Sequence, residues 1–391
     1  MPLPVLSGLK VIAVEQYGAG PYGSMQLADL GAEVWKIENP ADDGDMSRRV
    51  GPYFQGPDDS LFYHSFNRNK KSVTLDLKRP GAARVLHALA AKADGLIGNL
   101  RGDLPEKLGL TYKALRAANP RIVCAHLSAY GRSGPRADWP GYDYLMQAEA
   151  GYLALTGEPD GPPARMGLSV VDLMTGLYAA YALVSGVLAA RASGEGRDLD
   201  VSLFDTALQN LAYLATWYLN AGHVQGREKR GAHPSLVPSQ LCRTRDGHIF
   251  IMCNKEKFWP ILCRCLGHPE WAEDKRFCSF KDRLAHRDLV SAMLDEALSA
   301  RTTAEWLDIF AGQVPAAPVN NVQQALDNIF VAERGRLGDY GTVRMVKGPV
   351  IEDAPPPLAP APSLGADTDA VLSECGFSPA EIAALRADRV I

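Results

Sequence analysis

The sequence has no surplus of positive charge: 41 Lys+Arg stand against 45 Asp+Glu in 391 residues, for a formal net charge of −4. Proteins that track phosphate backbones carry a basic excess, so DNA or RNA is not an expected partner. Cysteine is sparse as well. Cys124, Cys242, Cys253, Cys263, Cys265, Cys278 and Cys375 form an odd, scattered set. That is unlike a secreted disulfide framework and fits a reducing cytosol. The opening residues Met1 to Lys10 lack a positive patch followed by a long apolar core, so no secretory signal is expected. No G-x-x-x-x-G-K-S/T, G-x-S-x-G or H-E-x-x-H occurs, which removes the P-loop, the hydrolase serine elbow and the zincin helix.

Long hydrophobic runs are nearly missing, although 47% of the residues are hydrophobic. The exception is Leu173 to Ala190, 18 residues without a charge, at the lower edge of what spans a bilayer. It is rich in Ala and Gly, begins beside Asp172 and has no second copy. We therefore read it as the buried core helix of a cytoplasmic protein with no membrane partner. The length corresponds to two or three domains, enough to enclose a deep ligand site.

What is present first is alternation. Leu9 to Glu15 reads as a buried strand, Pro21 to Leu30 as a helix and Ala32 to Glu38 as the next strand. The pattern repeats with a strand at Ser72 to Asp76, a helix opened by Pro80 and a strand at Asp94 to Ile97. A helix near Tyr112 to Ala118, a strand at Arg121 to Ala125, the long helix from Asp172, a strand at Asp198 to Leu203 and a helix over Asp205 to Tyr218 complete it. This predicts an α/β fold: a doubly wound, Rossmann-like large domain over residues 1–220. Residues 221–330 change texture to a smaller α+β domain, with a β-run at His248 to Cys253 and helices around Trp259 to Leu266, Leu289 to Leu298 and Ala304 to Phe310. Residues 331–391 form a linker and C-terminal segment that returns to the large domain, through the stiff Pro-rich stretch Ala354 to Pro362 and a last helical segment at Asp367 to Cys375.

Three motifs carry chemistry. Gly18-Ala-Gly20-Pro-Tyr-Gly23 is a literal G-x-G-x-x-G between strand and helix, with Glu38 twenty residues beyond Gly18, as in dinucleotide sites. Glu15, Gln16 and Tyr17 separate it from the strand and Pro21 fills a variable position, which weakens the dinucleotide reading and leaves a plain glycine turn, or a turn for another phosphorylated ligand, open. Asp172 sits where an apolar run meets an apolar helix. It is either a helix N-cap or a carboxylate nucleophile in a dry site. Asn67-Arg-Asn69-Lys70-Lys71-Ser72 is either a solvated turn or a phosphate contact. Cys263-Arg-Cys265 with His268 and Cys278 has no matching C-x-x-C, and no metal is expected.

Taken together these segments resemble the class III CoA transferases, the formyl-CoA transferase and carnitine CoA-transferase (CaiB/BaiF) group. The resemblance runs through Ala19-Gly-Pro21, Leu27-Ala-Asp-Leu-Gly-Ala-Glu-Val34, Lys36-Ile-Glu38, Asn67 to Ser72, Asp172-Leu-Met-Thr-Gly176, Gly194-Glu-Gly196 with Val201-Ser-Leu203, and His233-Pro234. It continues through Asp246-Gly247, Leu266-Gly-His-Pro269, Asp274-Lys-Arg-Phe277, Thr303-Ala-Glu-Trp306, Val314-Pro315 and Pro318-Val319. It implies transfer of coenzyme A from an acyl-CoA to a carboxylic acid, with CoA as substrate, no permanently bound cofactor and an interlocked homodimer. Asp172 matches the catalytic aspartate, which forms an aspartyl-CoA thioester. Tyr17, Gly18, Ala19, Leu75, Asn99 and Leu100 match CoA contacts. Lys107 and Asn39 stand where arginines are common. Asp143 matches an acidic position of the active site, and Arg48, Arg49 or Arg165 are candidates for a second carboxylate of a dicarboxylate acid.

Two departures are visible. The glycine-run loop of the formyl-CoA enzyme is absent between Arg230 and Asp246, and Asp367 replaces a histidine. The α-methylacyl-CoA racemases share the fold but use a His where Tyr142 stands, and a phenol is a poor base near neutral pH. Racemase and a non-catalytic CoA-binding protein are the alternatives.

Overall fold

The structure, a computed structural model, describes residues 3–391; Met1 and Pro2, where the signal-sequence reading begins, lie outside the described residues. The chain divides into two compact units. One comprises the residues up to Ala150, Gly167–Ala212 and Glu333–Ile391, and the other comprises Gly151–Met166 and Tyr213–Ala332.

The first unit is built on six strands: β1 (Lys10–Val14), β2 (Glu33–Glu38), β3 (Lys71–Thr74), β4 (Gly95–Gly98), β5 (Val123–Ser128) and β6 (Arg197–Ser202). Every pairing is parallel, and the spatial order is β3-β2-β1-β4-β5-β6. Val11 to Val14 and Val123 to Leu127 are buried throughout, as strands covered on both faces require. The order reverses between β1 and β4, and such a switch leaves a crevice at the carboxyl ends of those strands.

Five helices of this unit flank the sheet. Here α1 (Ala19–Ala28) follows β1, α2 (Ala82–Lys92) precedes β4, α3 (Asp143–Glu149) follows β5, and α4 (Val170–Ser193) and α5 (Leu203–Asn210) flank β6. The uncharged run is α4. Val171, Thr175, Ala179, Leu183 and Val187 recur at helical spacing on its buried side. Leu183 reaches Gly95, and Gly186 lies against Val123, where an added Cβ would come within 2.7 Å of the valine. This long apolar helix thus packs on the sheet, while Leu177, Tyr181 and Leu188 remain exposed.

Where α1 crosses α4, a Cβ on Gly23 would lie 2.3 Å from Gly176 O, and one on Gly176 would lie 2.3 Å from Ala19 O. Side chains at either position would force the helices apart. The first turn of α1 is thereby placed directly beside the first turn of α4.

The second unit has an antiparallel sheet of β7 (Ser239–Arg243), β8 (His248–Met252) and β9 (Ala316–Pro318), in the order β9-β8-β7. Its core joins Ile249 and Ile251 to Trp259 and Leu262 of α6 (Phe258–Leu266), Leu294 of α7 (Arg287–Leu298) and Trp306 and Phe310 of α8 (Thr303–Phe310). The C-terminal segment belongs to the first unit. Asp367 Oδ2 accepts the Ser72 N–H at 2.9 Å, and Val371, Leu372, Ile382 and Leu385 of α9 (Thr368–Glu374) and α10 (Pro379–Ala387) join the core above β1 to β4.

Two expectations differ. The helix over Asp205 to Tyr218 is broken, because Ala212 takes φ +47 and separates α5 from a further helix at Tyr213–Ala221. The α10 helix went unread, although Ser378 and Glu381 form a capping box that is visible as S-x-x-E.

Candidate active site

Beyond β1 the chain runs through Glu15, Gln16 and Tyr17 before α1 begins, and side chains hold the backbone at each step. Lys36 Nζ donates to Glu15 O at 3.1 Å. Asn99, just past β4, accepts the Gln16 N–H at 2.9 Å and returns its amide to Gln16 O at 2.7 Å. Asp45 accepts the Tyr17 N–H at 3.1 Å. Tyr17 has φ +72, a left-handed conformation that a residue with a Cβ adopts only when its surroundings enforce it. The turn delivers Gly18, where an added Cβ would be 3.2 Å from Asp172 Oδ2.

Asp172 is the third residue of α4, whose N-cap is Ser169, so the carboxylate does not cap its own helix. Its backbone N–H donates to Asp143 Oδ2 at 3.0 Å, and Gln147 Nε2 donates to the other Asp143 oxygen at 2.5 Å. Asp143 is buried in the first turn of α3, behind the exposed Tyr142 that caps that helix. Burial, followed by repulsion from the Asp143 carboxylate, pushes the Asp172 carboxyl from 3.8 up to about 7. In the first turn of α1 the Ala19 and Gly20 N–H groups have no carbonyl one turn earlier, whereas in α4 the Asp172 N–H is taken by Asp143.

Asp172 lines a cavity of about 430 Å³ together with Tyr17, Gly18, Ala19, Asn99, Leu100, Arg101, Trp139 and Tyr142. A second cavity of about 270 Å³ is lined by Asn39, Leu75, Lys78 and Leu104. Gln16 and Leu100 line both, so the two cavities adjoin along the crevice between β1 and β4. Together they make a groove with a carboxylate at one end, suited to an elongated ligand.

Of the residues singled out by sequence, Tyr17, Gly18, Ala19, Asn99, Leu100, Tyr142 and Asp172 meet in the first cavity, and Asn39 and Leu75 in the second. Asp143 stands behind Asp172. Lys107 lines neither cavity; its ammonium pairs with Asp103 at 2.6 Å. Arg49 also lies outside both, donating to Asp42 O at 3.0 Å. Arg165 belongs to the second unit and donates to Met166 O. Arg48 is buried and held in a fork by Glu38, at 2.9 and 2.7 Å, so it is committed to the fold.

The dinucleotide and phosphate readings need correction. Glu38, the would-be ribose ligand, already accepts from Arg48, Ser72 and the Asp45 N–H. Lys70 is neither solvated nor facing the groove. Its ammonium is fully buried on Glu15 Oε1 at 2.7 Å, and burial lowers it to about 8. Arg68 pairs with Asp29 and Lys71 with Glu33. Among the described residues no cluster of three or more His, Cys, Asp and Glu side chains has an arrangement that could hold a metal. Sequence reasoning missed Arg101, Trp139 and the Lys36–Asp45 pair. Arg101 was within reach of it, being two residues past Asn99.

Known proteins resemble this chain along nearly its whole length. The model of CoA-transferase family III matches residues 6–368. The succinate–glutarate CoA-transferase of Agrobacterium fabrum is 35% identical over 384 residues, spanning 95% of this chain and 96% of that protein. The acetyl-CoA:oxalate CoA-transferase of Acetobacter aceti is 36% identical over 352 residues, 89% of each. The crystal structure of a CaiB/BaiF family protein from Brucella suis superposes with a TM-score of 0.83 at 32% identity, over 96% of this chain and 100% of that one. With Asp172 at the switch-point groove and a match along nearly the whole sequence, the chain belongs to CoA-transferase family III.

Proposed function

We propose that this CoA transferase works through Asp172 as a covalent nucleophile and delivers CoA to a dicarboxylic acid. The carrying observation is the half-buried Asp172 carboxylate at the end of a groove assembled from both sides of the β1/β4 switch point. Relatives named for glutarate, oxalate and mesaconate as acceptors support a dicarboxylate. CoA lies along the two adjoining cavities, its nucleotide near Asn39 and Leu75 and its thiol end toward Asp172. Arg101, which lines the Asp172 cavity, is the cation nearest the pyrophosphate in this reading, and its guanidinium, held in a fork by Asp103 at 2.6 and 3.0 Å, would have to share or leave that partner.

An Asp172 oxygen attacks the thioester carbonyl of the donor, and the CoA thiolate leaves, giving a mixed anhydride. The thiolate then attacks the Asp172 carbonyl carbon and expels the donor acid, leaving an aspartyl-CoA thioester. The acceptor carboxylate attacks that thioester, the thiolate leaves again, and its attack on the acceptor carbonyl releases the new acyl-CoA and restores Asp172. The anhydrides are transient high-energy species, but overall one thioester is exchanged for another, so no external energy source is needed. Water must be kept out, because it would hydrolyse the anhydride. The N–H groups beginning α1 face the tetrahedral oxyanions.

The enzyme is cytoplasmic and works as a homodimer; the exposed Leu177, Tyr181 and Leu188 of α4 offer apolar surface to the second copy. The test is direct. Incubation with succinyl-CoA and no acceptor should leave a CoA-sized mass on the peptide containing Asp172. Full transfer activity in Asp172→Asn would refute the mechanism.

A further inference from the structure

The turn Gln16–Gly18 stands against Asp172, yet the group that fixes its most strained residue, Asp45, does not line the Asp172 cavity; it borders the adjoining one with its carboxylate enclosed. Asp45 is buried, accepts the Tyr17 N–H at 3.1 and 3.3 Å and the Ser47 N–H at 2.9 Å, and pairs with Lys36 Nζ at 2.8 Å. Lys36, on β2, is also completely enclosed. Its ammonium spans two targets, the Asp45 carboxylate and Glu15 O, which flank the turn on either side. Burial disfavours the Lys36 ammonium, but Asp45, Glu15 and Glu38 outweigh it and hold it charged. The reverse holds at Asp45. Burial raises its carboxyl, and Lys36 together with Ser47 more than compensates.

The fold could bury an apolar pair here at less desolvation expense, since a buried ion pair is weak evidence of stabilisation. What this pair does instead is close a bracket around Tyr17. Left alone, a tyrosine would leave φ +72 for an extended or right-handed helical conformation and swing the Tyr17–Gly18 peptide. Gly18 has no slack for that swing, with Asp172 Oδ2 3.2 Å from its Cβ position.

We propose that Lys36 and Asp45 are positioning residues for CoA transfer. They hold Tyr17 in the left-handed conformation, and so keep the Gly18 and Ala19 peptide groups aimed at the reacting carbonyl above Asp172. The proposal rests on the CoA-transfer reading of Asp172 and adds the element that sets its geometry. Misplacement of such a group by about 1 Å lowers turnover by about 100-fold. A clamp acting on the transition state should therefore appear in kcat rather than in the KM for acyl-CoA.

The test uses two sets of variants of the full-length enzyme, with Asp172→Asn as control. Asp45→Asn keeps an acceptor for the Tyr17 N–H but removes the charge that Lys36 needs. It should lower kcat by about 100-fold with a KM change below about threefold. The same substitution on a Tyr17→Gly background should lower kcat by less than about tenfold, because glycine adopts positive φ unaided. Equal losses on both backgrounds, or a melting-temperature drop with kcat retained, would overturn the proposal. Should Asp45→Asn fail to fold, Tyr17→Asn and Tyr17→Val decide, since both remove the same cavity-lining phenol and differ in backbone preference. Asn tolerates the left-handed region and Val does not. The Val variant should have the lower kcat, and equal values would sink the clamp. If Asp172→Asn itself turns over normally, the CoA-transfer reading has failed, whatever the clamp does.

Discussion

Replacing Asp172 with asparagine should make the protein inactive and, at alkaline pH, more stable. In the unfolded chain this carboxyl ionises near 3.8, whereas in the folded protein burial, then Asp143, pushes it up to about 7. Between those values the folded state holds a proton that the unfolded state has released. Stability therefore falls as pH climbs through the window and is unaffected by this group above it. At 1.36 kcal/mol per pH unit the whole window corresponds to about 4 kcal/mol, of which about 2 to 3 falls between pH 5 and pH 8. An amide of the same shape carries no such penalty. Urea unfolding followed by tryptophan fluorescence, at pH 5 and pH 8, should show the gap between Asp172→Asn and wild type widening by that amount in favour of the variant. Parallel behaviour at the two pH values would refute the reasoning, because it would mean that the native carboxyl ionises normally and is not held in a destabilised, reactive state.

Three further outcomes follow from the same geometry. The kcat/KM of wild type should rise with pH to a half-maximum near 7, and Asp143→Asn, which keeps an oxygen for the Asp172 N–H but removes the neighbouring charge, should move that half-maximum about one pH unit lower; an unmoved limb excludes Asp143 as a cause. Gly176→Ala places a methyl 2.3 Å from Ala19 O and should lower stability by about 1 to 3 kcal/mol while also reducing kcat, read by thermal melts and steady-state assays at one temperature. Arg48→Met strips Glu38 of its forked partner in a buried setting and should lower stability by about 3 to 5 kcal/mol in urea titrations, more than Arg49→Met at the exposed neighbouring position.

The alternating runs of residues 9–125 were legible because strands buried on both faces are mostly apolar, and turns at glycine, proline and asparagine separate them from the helices. The second unit was harder. Ser239 to Arg243 is short, polar and recognisable as a strand only through its pairing with His248–Met252. Asp172 could be located from sequence by the chemistry of an acid against an apolar helix, but its environment could not. Asp143 approaches from another helix, and Gly18 from the loop after another strand.

The cations were misread for a related reason. A run such as Asn67 to Ser72 has a composition normal for a solvated turn, and nothing within it announces that Glu15 is waiting in the core for Lys70. Lys36 lies between Trp35 and Ile37 in a strand buried on both sides, which leaves its ammonium no route to water and obliges the fold to supply an anion. Such a lysine is a sequence-level sign that an acid is enclosed nearby, though not which one. The glycine motif teaches the complementary point. Its spacing reports that something must approach the backbone closely. In this chain those partners are the Asp172 carboxylate at Gly18, the Asn99 side chain at Gly20 and the Gly176 peptide at Gly23. The pattern that signals a nucleotide pyrophosphate in one fold therefore builds, here, the walls around a half-buried carboxylate.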